Sequence, residues 1–417
     1  MSGPPTAETT LTTFFDDRAA EGLCRLADAM KAFVHARDPF IFALLDFQDD
    51  RPFLDPLVFS TAAGKQTRGL RQILFAYIPP ERRAQVGSIS VRTDSRGTVY
   101  LPNFGILCCD AANEDLLLEW DSRTNSPVLL AGSGVLPHRV EELLFLPGSA
   151  IEICQDSSLD LLFSDEDFEV VPVDLRTSAQ NRCDDLGSAV EMVREHCPYY
   201  AGIIAVTKRV ALFAHNGLNS FASMAAHGTA FLNVSHGVDE VLFIEDLVHQ
   251  SGHILFSTAT IDRSGLFSTS EDTTLSEILG AGGDRRSVYV ALHGLVTEAM
   301  MCETLTNCYS NDVFTGRQQH ELLGRLAYAA IRFGMDLELL KAAGVFGPVG
   351  EELYDALLSS FWVLRDQYGP LLRRLDLHGQ PYNFSYDRFA ARNQFCYVDD
   401  IAQPRRKVSA EPQHVGS

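Results

Sequence analysis

Hydrophobic residues recur at two different spacings along this chain, and the spacing changes near residue 184. Between about residues 39 and 175, short β-forming runs alternate with turn-rich breaks, which is typical of a mostly antiparallel sheet region. The predicted strands are 40–47, 73–78, 88–92, 99–101, 116–120, 128–131, 151–154, 159–163 and 170–173. An amphipathic helix is predicted before them, over residues 14–36.

After residue 184 the apolar positions follow mainly the spacing of amphipathic helices. Helices are predicted at 186–196, 241–256, 287–308, 317–333 and 351–368, and strands at 203–214 and 228–234. We therefore predict an α+β protein with a β-rich N-terminal region followed by a mainly helical domain. The predicted parts are a disordered N-terminus (1–13), a β-rich domain (14–183), a mainly helical domain (184–375) and a C-terminal tail (376–417).

Two histidines, His249 and His253, lie four residues apart in the predicted helix 241–256. Residues at this spacing share one face of a helix, so both imidazoles can reach one metal ion. The order matches the H-E-x-x-H signature of zinc peptidases, except that Gln250 stands at the glutamate position. That glutamate takes a proton from the attacking water, and a glutamine amide cannot. The sequence predicts an H-x-x-x-H metal-binding helix without the hydrolytic base.

The alternative is that both histidines are core residues whose hydrogen bonds are satisfied within the fold. They lie on a strongly apolar stretch, where two imidazoles without partners would be costly to bury. This cost favours a shared metal.

A metal held by two histidines needs at least one further protein ligand. The predicted helix 287–308 offers Glu298 and His293, which are five residues apart and so do not share a face. A buried glutamate needs a cation or a proton nearby, which favours Glu298 as the third ligand. His293 is the alternative.

These residues resemble the HExxH-motif domain of bacterial peptide-modifying systems, which includes 2-oxoglutarate-dependent, HExxH-type peptide β-hydroxylases. The similar stretch runs from about 186 to 345. It has a helix and a strand at 190–214, Asn-Ser-Phe at 219–221, a strand at 228–233, Leu-Val-His-Gln-Ser-Gly-His at 247–253, Leu-His-Gly at 292–294, and a helix with Glu321, Arg325 and Leu326. The resemblance implies that His249 and His253 bind iron, and Glu298 falls at the place of the third ligand.

A 2-oxoglutarate site also needs a cation for the distal carboxylate, ideally an arginine. Arg325 is flanked by apolar residues, so we expect it to point inward and bind this group; a surface salt bridge to Glu321 is the other interpretation. Arg332, seven residues later on the same helix face, is the alternative anchor. Glu245 is predicted to orient an imidazole without touching the metal, or else to be surface charge, and Gln250 to lie beside the metal.

The composition limits the partners. Against 55 acidic residues there are 34 basic ones, and the resulting net charge of −21 disfavours nucleic acid and anionic lipid. It favours a basic peptide, although charge that serves only solubility is an equal alternative. The chain shows no apolar run long enough to span a membrane and no signal peptide pattern. Nine scattered cysteines are typical of reduced thiols in the cytoplasm. The sequence leaves the oligomeric state open.

Three functions are consistent with these features. The first is a non-haem Fe(II), 2-oxoglutarate-dependent oxygenase that hydroxylates a peptide or peptide-like natural product, with the N-terminal half recognising the substrate. The second is a zinc hydrolase with an atypical general base. The third is a peptide-binding module that has lost its metal chemistry.

Overall fold

Helices are the main secondary structure of this protein, whose computed structural model describes residues 10–394 except 133, 165–168, 236–238 and 281–283. The helices, in chain order, are α1 Leu11–Arg37, α2 Pro39–Leu44, α3 Pro56–Ala62, α4 Leu70–Leu74, α5 Pro80–Arg83, α6 Leu175–His196, α7 Tyr200–Val206, α8 Glu240–Ala259, α9 Leu275–Leu279, α10 Val288–Ser310, α11 Gly316–Ala343, α12 Pro348–Leu372 and α13 Tyr386–Arg392. Within the described residues, none of them is both long and apolar enough to cross a bilayer.

The strands form three sheets. They are β1 Ile89–Arg92, β2 Thr98–Leu101, β3 Gly105–Cys108, β4 Asp115–Asp121, β5 Ser126–Ala131, β6 Gly134–Leu136, β7 Arg139–Glu141, β8 Leu144–Phe145, β9 Glu152–Ile153, β10 Arg209–Phe213, β11 Phe221–Ala222 and β12 Thr229–Asn233. Two sheets are antiparallel, with the orders β1-β4-β5-β6 and β2-β3-β7. The third is mixed and has the order β11-β12-β10-β9-β8. The predicted α+β class, with antiparallel sheets before a mainly helical region, is confirmed.

The mixed sheet crosses the predicted boundary between residues 183 and 184. Strand β9 pairs in parallel with β10, so that Glu152 lies opposite Arg209 and Ile153 opposite Val210. Helix α1 also packs on α8, although a long stretch of chain separates the two helices. The two predicted domains therefore share a sheet and a helix interface.

Two large hydrophobic cores lie under these elements. One joins the inward faces of α1, α6, α8, α10, α11 and α12, and the other lies under the antiparallel sheets and the short helices α2 to α4. The mixed sheet contributes to both, because Val210 faces the first core and Ala211 the second. Successive strand residues point to opposite faces, so β10 is buried on both sides.

Three segments that were predicted as strands are helical. Residues 40–47 overlap α2, because Pro39 takes the first helical position and the Asp38 carboxylate accepts a hydrogen bond from the backbone of Ile41. Residues 73–78 form the end of α4 and a 3-10 turn, and 159–163 form a second 3-10 turn. The predicted strand 203–214 is also only half strand, since its first part lies in α7. The three helical segments are short apolar runs, and a run of that length is as compatible with one or two helical turns as with a strand.

Both ends of the described chain are more ordered than the sequence predicted. Helix α1 begins at Leu11, inside the predicted disordered segment 1–13, because Thr10 and Thr13 form a reciprocal capping box. Residues 1–9 lie outside the described part. The predicted tail contains α13, whose Phe389 packs tightly on Gly324 of α11. Residues 395–417 of that tail also lie outside the described residues.

Candidate metal site around the histidine pair

The two histidines of the motif meet on one face of α8. The helix begins where the Asp239 carboxylate accepts a hydrogen bond from the backbone of Leu242 at 3.2 Å. His249 and His253 are four residues apart on this helix, and their rings meet. The two Nε2 atoms are 3.1 Å apart and the ring centroids 4.8 Å apart. The predicted convergence of the two imidazoles is therefore present.

The separation of these nitrogens fits a shared metal ion. Two imidazole nitrogens bound at about 2.1 Å to one metal lie about 3.0 Å apart at a right angle and about 3.4 Å apart at the tetrahedral angle. The observed 3.1 Å falls between these values. It also fits a hydrogen bond between two neutral rings, so the distance admits a metal without requiring one.

Both rings are in the neutral form that a metal ligand needs. Burial, together with smaller effects of the positive charge of Arg332 and of the His293 ring, lowers the pKa of His249 to about 4. Burial also holds the pKa of His253 well below its usual value, with smaller effects of His249 and His293. The Nδ1 atom of His253 is buried and has no hydrogen-bond partner within the described residues.

Glu298 is a buried carboxylate on α10 with one free oxygen. Its Oε1 lies 2.8 Å from Nε of Arg332 on α11, while its Oε2 is buried without a partner among the described residues. Burial raises the pKa of Glu298 to about 8, against the opposing charge of Arg332. A divalent cation would stabilise this carboxylate, and the unpaired Oε2 could bind it.

His293, the alternative third ligand, forms a hydrogen bond with the backbone instead. Its Nε2 lies 3.0 Å from the backbone carbonyl of His253, to which it donates a hydrogen bond. Its ring packs edge-on against the His253 ring at 4.3 Å. This arrangement supports the position of the His253 backbone and leaves Glu298 as the better candidate of the two.

Arg325, the predicted 2-oxoglutarate anchor, already has carboxylate partners. It points inward, as expected, but Nε and Nη2 donate to Glu321 at 3.0 and 2.8 Å, and Nη1 donates to Glu245. Glu245, which was predicted to orient an imidazole, is the second of these partners and pairs with Arg325 of α11 from its place on α8. The three side chains form a buried ion-pair cluster next to the histidine pair.

The side-chain amide of Gln250, which follows His249 on α8, forms a hydrogen bond within the same helix. Its Nε2 donates to Asp246 at 3.1 Å, and Asp246 also accepts a hydrogen bond from the hydroxyl of Ser220. Ser220 in turn accepts from the backbone N–H of Asn233 at 2.8 Å. Burial raises the pKa of Asp246 to about 6, although these two donors lower it. Asp246 was not predicted, and its only sequence signal is its position four residues before Gln250.

The rim of the site contains aromatic residues that the sequence analysis missed. The Arg332 guanidinium lies 5.1 Å from the Tyr382 ring and 5.9 Å from the Tyr328 ring. The Tyr328 hydroxyl donates to the backbone carbonyls of Pro381 and Tyr382, which fixes this segment over α11. Tyr382 comes from the predicted tail, so no local pattern could have linked it to the histidines.

The structure brings the rings of His249 and His253 together, and it pairs Glu298 with Arg332, whose positive charge also lowers the pKa of His249. Within the described residues, no three His, Cys, Asp or Glu side chains converge as a ready metal-binding group. The chain matches no protein-family model and no curated protein.

Proposed function

We propose that this protein is a non-haem Fe(II), 2-oxoglutarate-dependent oxygenase that hydroxylates a peptide or peptide-like natural product. His249 and His253 would hold the metal, and Glu298 would complete a two-histidine, one-carboxylate set. The observation that carries the proposal is the 3.1 Å approach of two neutral imidazole nitrogens in a buried, largely apolar region.

Bound iron would supply oxygen activation, in which one oxygen atom enters the substrate C–H bond and the other enters succinate as 2-oxoglutarate loses CO2. The protein side chains supply the rest. Burial around α8 and α10 excludes water, the fixed imidazoles leave open positions for ligands, and a cation binds the distal carboxylate. Gln250 is compatible with this chemistry, because oxygen activation needs no proton acceptor at that position. Zinc-dependent hydrolysis does need one.

Arg332 is better placed than Arg325 to bind the cosubstrate. Two carboxylates already match the charge of Arg325, whose side chain is only 8% exposed. The Arg332 side chain is 31% exposed, and its charge acts on His249. An anionic ligand beside the histidines could therefore contact Arg332 without breaking a buried cluster.

The substrate is proposed to be a peptide, favoured to be basic by the net charge of −21. The N-terminal sheets offer an edge for such a chain, because β6 ends the order β1-β4-β5-β6 and its Val135 is 70% exposed. We propose the cytoplasm as the compartment, since the described cysteines are all free.

The test is the metal and cosubstrate content of the protein purified without oxygen. Wild-type protein should bind one iron per chain and then bind 2-oxoglutarate, and addition of oxygen should release succinate. His249→Ala and His253→Ala should lose the metal while their thermal unfolding changes little, because the two histidines would be needed for metal binding and not for folding. His378→Ala, which removes an exposed histidine elsewhere, is the control.

Each alternative has its own result. Zinc in place of iron, together with no affinity for 2-oxoglutarate, would support the hydrolase. Protein that binds neither metal would support a binding module. Full metal occupancy in His249→Ala would show that the ligand assignment is wrong.

A further inference from the structure

A cavity of about 260 Å³ lies between α10, α12 and the turn from α6 to α7. It shares no residue with the site around the histidine pair. Its lining includes Pro198 from the turn, Glu303 and Thr306 from α10, and Val363 from α12. Val363 is 56% exposed, so the cavity reaches the protein surface. Sites for drug-sized ligands usually measure about 300–1,000 Å³, so this cavity is suited to a smaller molecule.

The Glu303 carboxylate lines this cavity without a basic partner. Its Oε2 accepts a hydrogen bond from the Tyr199 hydroxyl at 2.6 Å, and its Oε1 accepts one from the Ser360 hydroxyl. In the part of the chain that the structure describes, no lysine, arginine or histidine pairs with it. Burial raises the pKa of Glu303, and the two hydroxyl groups act in the opposite direction. A cation in the cavity would supply the positive charge that this carboxylate lacks.

The Thr306 hydroxyl also lacks a partner. Thr306 is three residues after Glu303 on α10, so the two side chains share one face of the helix. Its Oγ1 atom is buried and forms no hydrogen bond within the described residues. By contrast, the buried Thr304 hydroxyl donates to the backbone carbonyl of Met300 at 2.9 Å. Because an unpaired buried hydroxyl is unfavourable, a hydrogen-bond donor in the cavity would stabilise Thr306.

The other walls of the cavity are partly apolar. Val363 and Leu364 lie next to each other on α12, and Pro198 lines the cavity from the turn before α7. A matching ligand therefore has a positively charged donor group and a short hydrocarbon chain. The net charge of −21 would also raise the local concentration of such a cation.

We propose that this cavity binds a small aliphatic amine, such as a diamine. Its ammonium group donates to Glu303 and to Thr306 Oγ1, and its methylene groups pack against Val363 and Leu364. An ammonium group has three donors, and a carboxylate oxygen that already accepts one hydrogen bond can accept another. The site needs no metal, so this inference is independent of the oxygenase proposal.

The test is calorimetric titration of the full chain, without added metal, with 1,4-diaminobutane and separately with 1,4-butanediol. The diol has the same carbon chain but carries no charge. The diamine should bind with a dissociation constant of about 1 mM or lower. The diol should bind at least roughly tenfold more weakly, because its hydroxyl groups form no charge-assisted hydrogen bonds. Equal affinity for the two compounds, or no binding of the diamine, would overturn the proposal.

Glu303→Gln tests the carboxylate, because it keeps the shape of the side chain and removes its charge. This variant should bind the diamine at least roughly thirtyfold more weakly. Glu338→Gln is the matched control, since it removes one carboxylate from an exposed position on α11. The control should bind the diamine like wild type. An equal loss of affinity in both variants would mean that surface charge in general, and not the cavity, attracts the amine.

Thr306→Val provides a second test with a side chain of similar shape. It removes the unpaired hydroxyl, so the free protein should unfold at the same or a higher temperature than wild type. Its affinity for the diamine should nevertheless fall at least roughly fivefold, because one acceptor of the ammonium group is gone. A variant with normal stability and unchanged diamine affinity would show that the amine does not bind in this cavity as proposed.

Discussion

Two arginines on one face of α11 show how burial decides what a single residue can do. Arg325 and Arg332 are seven residues apart and have the same chemistry. Arg325 is enclosed with Glu245 and Glu321, so its charge is matched inside the protein. Arg332 is partly exposed and pairs with one carboxylate, that of Glu298. The first is expected to stabilise the fold, and the second to bind ligand.

Arg325→Ala should therefore lower the free energy of unfolding by about 3–5 kcal/mol, because it leaves Glu245 without its cation and Glu321 with only the more exposed Arg317. Urea denaturation of the metal-free protein measures this change. Arg317→Ala, which removes a more exposed arginine, should cost less than about 1 kcal/mol. Normal stability together with weak 2-oxoglutarate binding in Arg325→Ala would instead restore Arg325 as the anchor.

At the scale of elements, the position of α8 depends on how closely α1 approaches it. A Cβ atom at Gly22 would lie 2.0 Å from the backbone carbonyl oxygen of Thr258 and 3.1 Å from its side chain. Only glycine permits this crossing, because no L side chain fits against a backbone atom at that distance. The N-terminal helix thereby supports the far end of the helix that carries His249 and His253.

Gly22→Ala is expected to destabilise the protein by about 1–3 kcal/mol through this clash. Helix propensity alone predicts the opposite sign, a gain of about 1 kcal/mol. Thermal and urea unfolding decide between the two. Gly69→Ala is the control, because a Cβ there meets nothing within 4 Å and the backbone φ is negative. A stabilised Gly22→Ala would mean that the two helices do not cross this closely.

At the scale of the whole molecule, a buried polar network joins the N-terminal sheets to the mixed sheet. Arg209 on β10 lies 2.8 Å from Asp55 and 3.4 Å from Glu152, and the Tyr100 hydroxyl donates to Glu152 at 2.7 Å. The hydroxyl of Tyr77 donates to Asp55 at 2.7 Å. These residues come from both predicted domains, so the network ties the N-terminal sheets to the mixed sheet beneath α8.

This network should give the protein a measurable pH dependence. Burial raises the pKa of Glu152 from an ordinary 4.5 to about 7, against the charge of Arg209. The folded state then holds this proton more tightly than the unfolded state, so Glu152 lowers stability as pH rises from 4.5 towards 7. The effect is at most on the order of 3 kcal/mol, at about 1.4 kcal/mol per pKa unit.

Glu152→Gln should remove this part of the pH dependence. Urea unfolding of both proteins between pH 4.5 and 8 provides the measurement, and the wild type should lose stability relative to the variant up to about pH 7. Above that pH the difference should be constant. Parallel curves across the whole range would show that Glu152 keeps an ordinary pKa in the folded protein.

Local sequence patterns by themselves determined the elements with a clear period. The helical spacing of His249 and His253 predicted that their rings meet, and the α+β order followed from the change of spacing near residue 184. The strand prediction for short apolar runs such as 40–47 was wrong. A run of that length is compatible with either a strand or a helix until its caps and neighbours are known. The partners of charged side chains were decided only by tertiary structure. Arg325 faces Glu245 from α8, Arg332 faces Glu298 from α10, and Tyr382 arrives from the C-terminal segment. Pairing depends on which elements pack together, and that is a property of distant contacts rather than of residue spacing.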